Sequence, residues 1–104
     1  MQPVLIDTFT VPEESKSAFL AETRKIQSFL KSLPGFIEGY VYEKTAGDNS
    51  INIVTTAVWE TEAAMNNAKK AAAAEFQKLN FNPQKIMQDL RVVAGRGVYS
   101  RTPY

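Results

Sequence analysis

Apolar residues recur along this chain at two periods, and the changes of period mark out its elements. Val4-Leu5-Ile6-Asp7-Thr8-Phe9-Thr10-Val11 is rich in β-branched residues and apolar on both parities, which predicts a strand covered on both faces. Pro12-Glu13-Glu14 then starts a helix, with proline in the first turn and two acids at the positive end of the dipole. Phe19, Ile26, Phe29, Leu30 and Leu33 repeat at helical spacing, while Lys16, Glu22, Arg24 and Lys25 fall mostly off that stripe. Pro34-Gly35 stops this helix.

A hairpin follows. Phe36 to Lys44 and Ile51 to Trp59 are aromatic and β-branched, and Ala46-Gly47-Asp48-Asn49-Ser50 between them is turn chemistry. Thr61 is placed to cap a second helix, although Ala64 at its third position excludes a capping box. Met65, Ala68, Ala72, Phe76 and Leu79 form one face of that helix, and the run Ala71 to Ala74 is slim enough for close approach to a sheet. Asn82-Pro83 signals another cap, Gln84 to Asp89 a short helical segment, and Leu90 to Arg101 a last strand interrupted by Gly95 and Gly97.

The order β-α-β-β-α-β is that of a single α+β domain spanning 1–104, a ferredoxin-like antiparallel sheet of strand order 4-1-3-2 with its helices on one face. Strands apolar on both sides need a second cover. A second copy of the same sheet supplies it, so a homodimer is expected.

Composition narrows the classes. At 104 residues and 44% hydrophobic content the chain can bury a core, and its net charge of +1 is scattered rather than clustered. That excludes an electrostatic nucleic-acid or membrane footprint, and no apolar run reaches a membrane span. The absence of cysteine fits a cytoplasmic protein. Histidine is absent too, so there is no His/Cys metal site, no Ser-His or Cys-His nucleophile and no imidazole acid-base. Gly95-Arg96-Gly97 lacks the lysine and spacing of a phosphate loop. What remains is carboxylates, tyrosines, arginines and the single tryptophan.

The topology brings some of these together. Strands one and three are antiparallel neighbours, so Asp7 and Trp59 are expected near each other, with Leu5, Asp7 and Phe9 on one face and Ile53, Thr55, Ala57 and Trp59 on the same one. A register that sets Gly95 opposite Asp7 would leave empty volume beside the carboxylate, although a slip of one residue reverses the face.

A PGF-opened strand, a polar turn and a strand closing on Trp59-Glu60 before an Ala-rich helix resemble the antibiotic-biosynthesis monooxygenase family. The resemblance implies a dimeric α+β barrel. Haem-degrading members carry an asparagine in the first strand, a tryptophan ending the third and a histidine on the second helix. Here Asp7 and Trp59 occupy the first two positions and the histidine has no counterpart, which argues against haem degradation. Other members resemble cofactor-free oxygenases of aromatic polyketides, in which a substrate carbanion reduces oxygen. Those imply a tryptophan, an asparagine, a tyrosine and an arginine about the pocket. Trp59 carries over, and Asn52, Tyr40 or Tyr42, and Arg91 are candidates by residue type.

The expectation is therefore a monooxygenase needing no metal or flavin, acting on a small aromatic or quinone-like substrate. Asp7 is the candidate base or orienting group, Trp59 the candidate pocket wall, and Phe9, Tyr40, Tyr42, Asn52, Thr55, Met65, Phe76 and Arg91 the candidate substrate contacts, a tyrosine or arginine holding the developing oxyanion. The alternative is a dimeric module that binds a small apolar ligand without turning it over. Each residue also has a purely structural use: Trp59 as core packing, Asp7 in an ion pair, the tyrosines at an interface, and the glycines for close approach.

Overall fold

The computed structural model describes residues 2–48 and 50–103, so Asn49 of the expected turn lies outside the described residues. β1 (Val4–Thr10) leads through a 3-10 turn (Glu13–Ser15) into α1 (Lys16–Lys31). The hairpin is β2 (Phe36–Glu43) and β3 (Ile53–Trp59), and α2 (Glu62–Lys78), α3 (Pro83–Asp89) and β4 (Val93–Tyr99) complete the chain. The sheet is antiparallel with order β2-β3-β1-β4, the expected order read from its other edge.

The helix ends follow the sequence signals. Thr61 Oγ1 accepts the Ala64 N–H at 3.0 Å, and Asn82 Oδ1 accepts the Lys85 N–H at 3.1 Å with Pro83 at the first position of α3. Gly35 turns the chain out of α1 at φ +84, and a Cβ there would stand 2.5 Å from the Ala64 Cβ. Only glycine admits both that conformation and that approach of α2.

Three elements differ from expectation. The most buried positions of α1 are Phe19, Thr23 and Gln27, two of them polar, whereas Ile26, Phe29 and Leu30 are half-buried. On α2 the buried face is Met65, Ala68 and Ala72, and Leu79 at the C-cap is 65% exposed. The last strand begins at Val93, because Leu90 caps α3 and Arg91 adopts a positive φ of 58 in the turn that follows.

Alternation along β3 is complete: Ile53, Thr55, Ala57 and Trp59 are buried and Val54, Thr56 and Val58 are not. The register carries that parity to β1, where Leu5 pairs with Ala57, Asp7 with Thr55 and Phe9 with Ile53. The helix-facing side therefore holds two apolar clusters. Leu5, Ala57, Trp59, Met65 and Ala68 form one, and Val11, Phe19 and Ile53 the other. Asp7 and Thr55 lie between them along the strands. On the opposite face Ile6, Val54 and Val58 are half-buried, and Tyr40, Tyr42 and Tyr99 are 51%, 52% and 54% exposed. Among the described residues no helix is long and apolar enough to cross a membrane.

Candidate active site

The helix-facing side of the sheet does not close on itself. A cavity of about 920 Å³ lies between the floor of β1, β3 and β4 and the walls of α1, α2 and α3, a volume suited to a ligand of drug-like size. Its lining is mostly apolar. Ala72 and Ala73, from the slim run Ala71 to Ala74, form part of the wall.

Asp7 reaches this cavity from the middle of β1, and Arg96 reaches it from β4. Arg96 Nε donates to Asp7 Oδ1 at 2.7 Å and Arg96 Nη2 to Oδ2 at 3.0 Å, a two-pronged pair in which the planar guanidinium matches both carboxylate oxygens. The pair is lopsided in its access to water: the Asp7 side chain is 17% exposed and that of Arg96 57%. The hydrogen bonds that Arg96 donates to the Asp7 carboxylate hold the guanidinium above its ordinary pKa, against a smaller opposing effect of burial.

That pair corrects the expected register of β4. Asp7 stands opposite Arg96, and Gly95 stands opposite Thr8, one residue away from the anticipated alignment. The single step turns Gly95 and Gly97 to the face away from the helices and puts Arg96 beside the carboxylate. The room left by the glycines is taken up there: a Cβ on Gly97 would meet the Tyr99 ring at 2.8 Å, and one on Gly95 would meet Thr8 Oγ1 at 3.0 Å. Arg96 is thus a cavity residue that the sequence reading missed. Its signal was present in Gly95-Arg96-Gly97, as the one long polar side chain sharing a parity with Ala94 and Val98.

Trp59 closes the other end of the cavity. It is 1% exposed, its ring meets Phe36 edge-on at 5.3 Å and 83°, and its backbone N–H donates to the Pro3 carbonyl at 3.1 Å. Asp7 pairs with Thr55, four positions before Trp59, so the two are separated by about 13 Å along the sheet at roughly 3.3 Å per residue. They line one cavity without being neighbours. The indole Nε1 is buried and has no hydrogen-bond partner among the described residues, and the same is true of Gln27 Oε1 on α1.

Phe9, Thr55, Met65 and Phe76 also line the cavity. Phe9 packs on Phe19 at 4.8 Å, and Phe76 stands between Phe29 at 6.4 Å and Phe81 at 5.2 Å. The other four candidates lie elsewhere. The hairpin's irregularity falls between Phe36 and Glu38, so Tyr40 and Tyr42 pair with Thr56 and Val54 and point to the opposite face. Asn52 spends its amide on Val11, donating to that carbonyl at 2.8 Å and accepting that N–H at 2.9 Å, and so clamps the end of β1 to the start of β3. Arg91 is held in the turn between α3 and β4 and does not line the cavity.

The sequence model of the family described as antibiotic biosynthesis monooxygenase matches residues 4–79 of the chain. No curated protein matches. Among solved structures, SnoaB, a cofactor-independent oxygenase from Streptomyces nogalater, shares 20% identity and a TM-score of 0.70, covering 99% of this chain and 95% of that one. A variant of MhuD with two manganese protoporphyrin IX bound per active site shares 15% identity and a TM-score of 0.74, over 98% and 96% of the two chains. The haem-degrading protein Rv3592 from Mycobacterium tuberculosis shares 17% identity and a TM-score of 0.59, over 66% of this chain and 78% of that one. Likeness at these identities shows the fold.

Proposed function

The chain belongs to the antibiotic biosynthesis monooxygenase family, and on that premise we propose that it is a cofactor-independent monooxygenase of a small aromatic or quinone-like substrate. The observation that carries this reading is a largely apolar cavity with a single carboxylate on its floor, gripped by an arginine that also lines it. A carboxylate so placed can take a proton from an acidic C–H or O–H while keeping lone pairs beyond those given to Arg96. Arg96 is the cation we assign to the developing oxyanion, since Tyr40, Tyr42 and Arg91 lie outside the cavity.

The reaction balances with dioxygen as the oxidant. Asp7 removes one proton from a doubly activated CH₂, leaving a carbanion delocalised onto a neighbouring oxygen beside Arg96. The carbanion passes one electron to O₂, and the resulting radical and superoxide join as a C–O–O⁻ bond. Asp7 returns its proton to the distal oxygen. Loss of the second C–H proton and cleavage of the O–O bond then give C=O and water, so that R₂CH₂ and O₂ become R₂CO and H₂O.

Haem does not fit these residues. The chain has no histidine and no cysteine to ligate the iron.

The reading is tested with an oxygen electrode and anthrone as substrate. Stoichiometric oxygen uptake with formation of the ketone is the expected result. No uptake across anthrones and acidic phenols would favour a module that binds such molecules without oxidising them.

The uncovered sheet face belongs to the same proposal. Ile6, Val54 and Val58 with Tyr40, Tyr42 and Tyr99 form an apolar and aromatic surface that a second copy of the sheet would bury. Sedimentation at micromolar concentration is expected to show a dimer, and a monomer would remove the barrel assembly.

A further inference from the structure

Gln27 is a polar side chain of the cavity that the proposed reaction leaves unused. It sits one turn beyond Thr23 on α1, is only 8% exposed, and belongs to the buried face of that helix. Thr23 satisfies itself by donating its hydroxyl to the Phe19 carbonyl at 2.9 Å. Gln27 Oε1 has no such partner among the described residues. A buried acceptor without a donor costs free energy that a leucine or methionine of similar size would not.

Its place on the sheet is fixed by Gly39. A Cβ added there would lie 3.1 Å from Gln27 Oε1, so the amide rests over Gly39 on β2. Gly39 pairs with Ala57, two positions before Trp59 on the same face. Trp59, whose Nε1 is also buried without a partner among the described residues, is therefore at this end of the cavity too. Asp7 lies two strands away on β1, roughly 10 Å across the sheet at 4.7–4.9 Å per strand. That span is about the width of a fused bicyclic aromatic with an oxygen on its edge.

We infer that Gln27 determines specificity in this cavity: its Oε1 accepts a hydrogen bond from a hydroxyl on the edge of the aromatic substrate remote from Asp7. The inference rests on the reading of the cavity as an aromatic-substrate site and adds the substrate class, a hydroxyaryl compound whose reacting carbon lies across the ring system from that hydroxyl. The last torsion of glutamine is soft, so the amide turns its oxygen from Gly39 toward the cavity without moving α1. The ligand hydroxyl then supplies the donor that Gln27 Oε1 lacks among the described residues.

The test uses the single tryptophan as reporter, with 7-hydroxy-1-tetralone and 1-tetralone as probes titrated under nitrogen. The wild type is expected to bind the hydroxylated ketone about ten-fold tighter, the return on one buried hydrogen bond. In Gln27→Leu that preference should fall to within about two-fold while the affinity for 1-tetralone is kept. Gln27→Glu, which retains an acceptor, should keep the preference, and Gln27→Met repeats the leucine result with an unbranched side chain. The thermal midpoint of Gln27→Leu should rise, whereas an amide with a structural duty would lower it on removal. Equal affinities in the wild type, or a hydroxyl preference that survives in both Gln27→Leu and Gln27→Met, would overturn the assignment. Binding under nitrogen is independent of turnover. Equal wild-type affinities with oxygen uptake intact remove Gln27 alone, and absent uptake with the wild-type preference intact removes the oxygenase while leaving a hydroxyaryl-binding module.

Discussion

Trp59→Ala is expected to cost about 3–5 kcal/mol of stability, a large share of the 5–15 kcal/mol typical of a small domain. The indole is 1% exposed and packs with Leu5, Ala57, Met65 and Ala68, with Leu30, Leu33 and Phe36 against them. Its removal leaves a hole at the edge of an existing cavity, where neighbours have little reason to collapse inward. Trp59→Phe should cost far less. Phenylalanine keeps an edge-on contact with Phe36, and it removes an indole N–H that is buried without a partner, which offsets part of the lost packing. Chemical denaturation followed by circular dichroism measures both, since neither variant retains a tryptophan. A phenylalanine variant as unstable as the alanine variant would mean that the N–H is satisfied in solution. If the indole is a wall and takes no part in the electron transfer, oxygen uptake by Trp59→Phe should stay within about ten-fold of wild type.

The fold was legible because its local and long-range signals agree. Proline and glycine at 34 and 35, the turn residues from Ala46, and the caps at Thr61 and Asn82 all mark boundaries that packing then respects. The faces of β1 and β3 were legible for the same reason: alternation along β3 is unbroken, so one buried residue fixes the rest. The site was legible only in part. Asp7 and Trp59 were placed on the helix side by parity, and Phe9, Thr55, Met65 and Phe76 followed from the two element faces.

Arg96 was lost to a one-residue difference in the register of β4, an edge strand whose exposed residues give no alternation to read. Tyr40 and Tyr42 were equally undecided, because the position of one extra residue near the start of β2 sets their side, and nothing in Phe36-Ile37-Glu38-Gly39 says which residue it is. Gln27 escaped notice for a different reason. A glutamine amid Lys25, Ile26 and Ser28 reads as a solvated helix position, and only the packing of α1 over Gly39 makes it an interior one.

Asp7→Asn is expected to lower oxygen uptake by about 10²–10⁴-fold, the range spanned by loss of a general base, while costing only about 1 kcal/mol of stability. The two effects part company because of where the charges sit. Removing the carboxylate leaves Arg96 without its partner, but that guanidinium is 57% exposed and water takes over much of its solvation. Asparagine also keeps one oxygen to accept from Arg96. The reverse change is the harsher one for the fold. Arg96→Met leaves a carboxylate that is 17% exposed among apolar cavity walls with neither of its two hydrogen bonds, so it should destabilise more than Asp7→Asn. Its rate should fall as well, by about 10²–10³-fold, if the guanidinium holds the developing oxyanion. Denaturation midpoints and oxygen-electrode rates for the two variants give four numbers, and their order carries the assignment. A structural ion pair predicts losses of stability with rates per folded molecule unchanged. A base held by its counter-ion predicts that Asp7→Asn, the gentler of the two for the fold, is at least as damaging to turnover. Uptake by folded Asp7→Asn at the wild-type rate would remove Asp7 as the base and leave the pair as a strut between β1 and β4.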